Sequence, residues 1–208
     1  MGKRMKKGSY AVGMDTRRHI ITTARTMFNR YGYKNVSMRA IAAELGISVG
    51  NLTYHFPKKL DLVQGLLQDD LAVTLVSEPV TGLHQLEKII NNMLDSLQRN
   101  SFYFLDPEVF VITRSATRDN ILRVHSQLDM AIDRLIELGL FQPYFTGITR
   151  QRVLKILLWS HVAWMQSHIR MAQFERIDQR AFLDAHWTVL SPWLTDAGRE
   201  ELAGLQTE

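Results

Sequence analysis

Cysteine is absent from the 208 residues, which excludes disulfides and thiolate metal sites and is compatible with a reducing cytoplasm. No uninterrupted apolar run reaches about 18 residues, so no membrane span is expected. The start, Met1 to Gly13, carries charge without an apolar core segment, so no secretory signal is expected there. β-Branched residues never alternate with polar ones over a long stretch, which leaves little room for strands. Catalytic signatures are missing too: there is no HExxH, Walker A or GxSxG pattern, and the acids are scattered, not paired. His161 and His168 sit two helical turns apart, about 10 Å along a helix axis, too far for adjacent metal ligands. These absences lead to the expectation of a soluble, cytoplasmic protein with no metal, no cofactor and no enzymatic activity.

Acids are scarce in the first sixty residues, where 2 Asp and Glu stand against 12 Lys and Arg, a net of +10. Residues 61–208 hold 19 acids against 13 bases, a net of −6, so the overall +4 hides an asymmetry. A basic front suggests a polyanionic partner, and an acidic back a different task. Lys3, Arg4, Lys6 and Lys7 supply part of the excess, yet setting them aside leaves +6 in the front segment.

What is abundant is helical spacing. Hydrophobic residues make up 46% of the chain, enough for a small domain fused to a larger one. Residues 1–14 show little periodicity and read as a flexible basic arm. That arm is open to two readings, an arginine contact in a minor groove or a tail adding sequence-independent affinity; the lack of a fixed motif favours the tail. The spacing then predicts about nine helices, three short and six longer, over 16–31, 38–45, 49–55, 57–76, 83–100, 107–115, 119–138, 149–171 and 178–194. Asp15 is the expected cap of the first, and Asp106-Pro107-Glu108 reads as a helix start. The expected fold is all-α, with an N-terminal three-helix domain over 15–62 and a larger helical domain over 63–208.

The sharpest signal lies in the two shortest helices. Met38, Ile41, Ala42 and Leu45 recur at helical spacing and face inward. Gly46-Ile47-Ser48 follows: a residue able to turn left-handed, an apolar plug, and a cap for the next helix. Val49, Leu52 and Phe56 form the expected buried stripe of that helix. Two helices joined by so short a glycine turn make a helix-turn-helix. Gly50, Asn51 and Tyr54 are left facing out, with Thr53 and His55 beside them and no acid among them. An ordinary surface helix carries Glu and Lys instead; amide, hydroxyl and aromatic groups suit a major groove, where Asn pairs bidentately with adenine.

The stretch Ala24-x3-Phe28-x3-Gly32-Tyr33-x2-Val36-Ser37-Met38-x2-Ile41-Ala42-x3-Gly46-Ile47-Ser48-x-Gly50-x-Leu52-x-Tyr54-His55-Phe56-x2-Lys59-x2-Leu62 resembles the DNA-binding signature of the TetR family. The resemblance implies a homodimer on a palindromic double-stranded operator, usually a repressor, released when a small molecule binds the C-terminal domain. It implies that Ser37 and Arg39 touch phosphate, that Ser48, Val49, Gly50, Asn51, Thr53, Tyr54 and His55 enter the groove, and that Lys59 contacts phosphate. The sequence departs from the family at Thr53, where members usually carry tyrosine; here the aromatic comes one residue later, at Tyr54. A global regulator or chromosome-organising factor on the same scaffold, without an effector, is the alternative.

The last two predicted helices are apolar on more than one side. A second apolar face needs a second cover, either the same chain or, most simply, a partner chain, which nominates Val153, Leu157, Trp164, Phe182, His186, Val189 and Trp193 for a dimer interface. Aromatics also gather around Phe102, Tyr103, Phe104, Phe110, Phe141, Tyr144 and Phe145. They are open to plain core packing or to a cavity for a hydrophobic or aromatic effector, with Phe104, Phe110, His125, Trp159, His161, Trp164, Met165 and His168 as its lining.

Overall fold

The computed structural model describes residues 7–75, 77–171 and 178–206; the side chains of 7–15, 71–74, 104–105, 107, 110, 165–166 and 168–171 are outside that description. Helices follow one another as α1 (Lys7–Tyr31), α2 (Met38–Glu44), α3 (Val49–His55), α4 (Lys59–Thr74), α5 (Leu83–Arg99), α6 (Phe102–Leu105), α7 (Pro107–Ile112), α8 (Arg114–Glu137), α9 (Gly147–Met171), α10 (Gln179–Leu190) and α11 (Asp196–Leu205). Among the described residues there is no strand, only a lone bridge between Phe141 and Leu194. The fold is all-α.

All the expected helices occur, but α6 was not expected, and α8 begins at Arg114 and not at 119. α1 begins at Lys7, so Asp15 lies inside a helix and not at its cap; residues 1–6 of the expected arm lie outside the described residues. No proline interrupts this stretch, and extending a nucleated helix is far easier than starting one. α10 stops at Leu190 because Pro192 has no N–H to offer Thr188; the Ser191 hydroxyl donates to that carbonyl at 3.2 Å, and a 3-10 turn follows over Ser191–Trp193. α11 was not expected at all.

The chain packs as two units: Met1–Asp69 with Asn100–Thr117, and Asp70–Arg99 with Arg118–Glu208. In the first, the α1 stripe of Ile20, Ala24 and Phe28 packs on Ile41, Leu52, Phe56 and Leu66. Leu66 thus carries this core past the expected boundary at 62. Phe102, Tyr103 and Val109 are buried in the same core. The Phe102 ring lies 5.3 Å from that of Phe28, and its backbone N–H donates to Asn29 Oδ1 at 3.0 Å. The Tyr103 hydroxyl hydrogen-bonds those of Thr113 and Thr117. Of the two readings open for the aromatic segment after α5, Phe102 and Tyr103 take core packing, within the N-terminal unit.

In the second unit, α5 turns Leu83, Leu86, Ile90 and Met93 inward to meet Leu128, Ile132, Leu154 and Trp187. α11 closes this core. Its cap, Thr195, accepts from Gly198 N–H at 3.1 Å and donates to Gly139 O at 2.6 Å, while Glu201 accepts from Leu83 N–H at 2.7 Å. Gly198 lets α11 lie against the chain: a Cβ there would stand 2.1 Å from Leu140 O, closer than any real contact.

Candidate nucleic-acid interface

α2 and α3 are each seven residues long, and side-chain caps set where both begin. Ser37 Oγ accepts from Ala40 N–H, and Ser48 Oγ from Asn51 N–H, both at 3.1 Å. Between them Gly46 takes φ +65°, which a side chain would resist, and Ile47 N–H reaches back to Ala42 O at 3.0 Å. Local chemistry therefore fixes the turn, and Ile41, Ala42, Leu52 and Phe56 bury its inner side.

The outer side of α3 is open. Gly50 and Asn51 are exposed, and Tyr54 is 84% exposed with its ring edge-on to His55 at 5.2 Å. The expected stripe fails at one position: Val49 is 41% exposed, because burial begins one turn later, at Leu52. Thr53 donates its hydroxyl to Val49 O at 3.0 Å and so is partly committed to its own helix. No acid lies between Glu44 and Asp61, and Asp61 accepts from Lys58 N–H at 2.7 Å.

Around this surface the cations differ in availability. Arg39 is exposed, as the sequence leads one to expect. Lys59 is not: its Nζ donates to Tyr33 O and sits 3.9 Å from the Tyr33 ring centroid and 5.8 Å from that of Phe28. Burial, against the pull of Asp106 and Glu108, lowers its pKa. An ammonium held by a carbonyl and a ring ties α4 to the α1–α2 turn, so the residue implied as a phosphate contact is half-buried in this structure. Lys34, which periodicity passed over, stands exposed in that turn with its Nζ 3.1 Å from Glu108 Oε2.

Of the residues expected in an effector cavity, the four whose side chains are described do not come together as one group. His125 pairs with Asp129 at 3.7 Å on α8, and Trp159 is 67% exposed. The side chains of Phe104, Phe110, Met165 and His168 lie outside the described residues. His161 and Trp164 instead join two residues expected at a dimer interface, Phe182 and His186. Phe182 lies 5.1 Å from the His161 ring, 5.2 Å from Trp164 and 4.2 Å from His186. Each histidine Nδ1 faces a carbonyl at 2.8 Å, Leu157 O or Phe182 O, and carbonyls only accept, so each carries its proton there. His186 Nε2 is left to accept, 3.2 Å from Ser160 Oγ and 3.3 Å from His161 Nδ1. Burial, then the neighbouring His186, lowers the His161 pKa to about 4.

The interface expectation needs a matching correction. Leu157, Trp164, Phe182 and His186 are buried within one chain, and Val153, Val189 and Trp193 are half-buried, Trp193 stacked on Phe145 at 4.7 Å. α9 packs against both α5 and α10, so its two apolar sides are already covered. Ile156 and Trp159 make its open face.

Residues 20–66 match the family model described as bacterial regulatory proteins, tetR family. That match spans 47 of the 208 residues, all within the first unit. Among similar proteins, the HTH-type transcriptional regulator UidR of Escherichia coli K12 is 33% identical over 89 residues, 42% of this chain. That alignment spans 45% of UidR, so the chain covers under half the length of the curated relatives it matches. A tetR-family regulator from Marinobacter aquaeolei VT8 has a similar fold, with TM-score 0.76 and 22% identity over 92% of this chain and 97% of that one. SmeT, solved as a complex with triclosan, aligns with TM-score 0.60 and 14% identity over 88% of this chain and 93% of its own. Among the described residues, no group of three or more His, Asp or Glu side chains could hold a metal ion, and no helix is long and apolar enough to cross a membrane.

Proposed function

We propose that the chain is a DNA-binding transcriptional regulator, a cytoplasmic homodimer that represses at a palindromic operator and is released by a small-molecule effector. The observation that carries the DNA-binding part is the outer side of α3. Val49, Gly50, Asn51 and Tyr54 are exposed together, no acid accompanies them, and the packing behind them is complete. Asn51 is the residue for an adenine edge, Val49 for a thymine methyl, and Tyr54 for a base edge or phosphate. Tyr54 also stands in for the tyrosine that relatives carry at the position of Thr53. In a helix-turn-helix dimer the two reading helices meet half-sites about 34–36 Å apart. The kinship to UidR supports the regulatory reading, and the SmeT–triclosan complex supports the effector. The open apolar pair Ile156 and Trp159 on α9 supports a second copy as its cover.

Asn51→Ala tests the assignment. It is expected to cost about 1–3 kcal/mol per half-site on the true operator and to relax specificity at one base pair. A footprint unchanged by the substitution rules out α3 as the reading helix. A regulator without an effector is the second reading, favoured by the tight closure of the His161–Trp164–Phe182–His186 cluster, in which none is more than 6% exposed. Operator release by a small apolar compound separates the two.

A further inference from the structure

Lys34 stands three residues before Ser37, the cap of α2, and close in sequence to the exposed Arg39. Its side chain is 64% exposed, and its ammonium lies 3.1 Å from the carboxylate of Glu108, itself 56% exposed. Glu108 sits in the first turn of α7, behind the cap Asp106, whose Oδ1 accepts from Glu108 N–H at 3.2 Å. α7 is therefore built to present two acids to the turn that leads into α2. The other lysine they act on, Lys59, is occupied by Tyr33. Lys34 is the one whose ammonium remains on the surface.

We infer that Lys34 is a phosphate contact of the DNA-reading head and that Glu108 is its intramolecular competitor, holding DNA affinity below what the head's cations would otherwise give. This rests on the DNA-binding reading above. A lysine binds phosphate as a point charge at the end of a flexible stem, and the same ammonium cannot serve a carboxylate and a phosphate fully at once. An exposed ion pair is weak and opens readily, whereas duplex DNA adds counterion release to the direct attraction. Glu108 also repels phosphate directly, so both effects have one sign. Asn100–Thr117 is joined in the chain to α5 at one end and α8 at the other. A change in either helix that shifts α7 changes how strongly Glu108 competes. The acid is thus placed where regulation can act on affinity for any DNA sequence.

The test uses the full chain, a random-sequence duplex and fluorescence anisotropy over a salt series, with Glu108→Gln, Lys34→Gln and the double substitution. Glu108→Gln is expected to tighten binding about 3- to 10-fold in dilute salt and to steepen the plot of log K against log salt by about 0.9 per bound chain. Lys34→Gln is expected to weaken binding and flatten the slope, and Glu108→Gln to gain much less on that background. Equal affinity and slope in Glu108→Gln and the unsubstituted chain overturns the inference. So does an equal gain with and without Lys34, which leaves repulsion alone. If the unsubstituted chain ignores duplex DNA in dilute salt, the DNA-binding reading falls and this inference with it. Both side chains are exposed, so matching melting curves confirm that no variant differs through misfolding.

Discussion

Acidification separates His161 from a histidine in an unfolded chain. Free histidine titrates near 6.5, whereas burial and His186 hold His161 near 4, so below about pH 6.5 the unfolded chain takes up a proton that the folded one refuses. Folded stability is therefore complete above 6.5 and is lost progressively as the pH falls from 6.5 towards 4. Over that window the loss from His161 amounts to roughly 3 kcal/mol. His186, whose pKa is also lowered by burial, adds to it in the same direction. Urea midpoints at pH 7 and pH 5 check this: the difference should shrink in His161→Gln, and an undiminished difference assigns the acid sensitivity to other groups. Neither histidine's surroundings were legible from spacing. His161 was expected beside a ligand and His186 against a partner chain, and only packing between α9 and α10 reveals that they face each other.

At the level of elements, what was legible is what local chemistry decides. Ser37, Ser48 and Asp106 each cap the helix their sequence announces, and Gly46 makes the turn its neighbours require. Contacts between residues distant in the chain were not legible. Nothing in Phe102 names Phe28 as its neighbour, and nothing in Lys59 names the Tyr33 carbonyl. α11 was missed for the same reason, since its place depends on Leu140 and Leu83, far away in the chain. Gly198→Ala tests how firmly it is docked. The new methyl would meet backbone, Leu140 O at 2.1 Å and Leu140 C at 3.0 Å, neither able to swing aside like a side chain. The substitution is expected to destabilise the second unit by about 1–3 kcal/mol. Chemical denaturation measures the loss, and faster proteolysis at the C-terminus should accompany it. An unchanged midpoint would mean that α11 shifts at no cost.

For the whole molecule, the proposed homodimer needs a surface that a second copy covers. A two-fold axis places each residue of the patch in the interface twice, so one change at Trp159 acts on both chains. Burying such a side chain fully is worth roughly 1.5–3 kcal/mol on each side. Trp159→Glu is therefore expected to convert the proposed dimer to monomer at micromolar concentration in sedimentation velocity, while helix content and the melting of the monomer fold persist. A dimer that survives the substitution puts the interface elsewhere. The composition of the head has a separate consequence. Phe102, Tyr103 and Val109 of its buried core arrive from Asn100–Thr117, yet the family match ends at residue 66. Cutting after Asp69 would strip Phe28 of Phe102 and leave Asn29 without its backbone partner. Transplanting the proposed DNA-reading unit would accordingly mean moving two separated stretches of sequence, since the first alone is an unfinished fold.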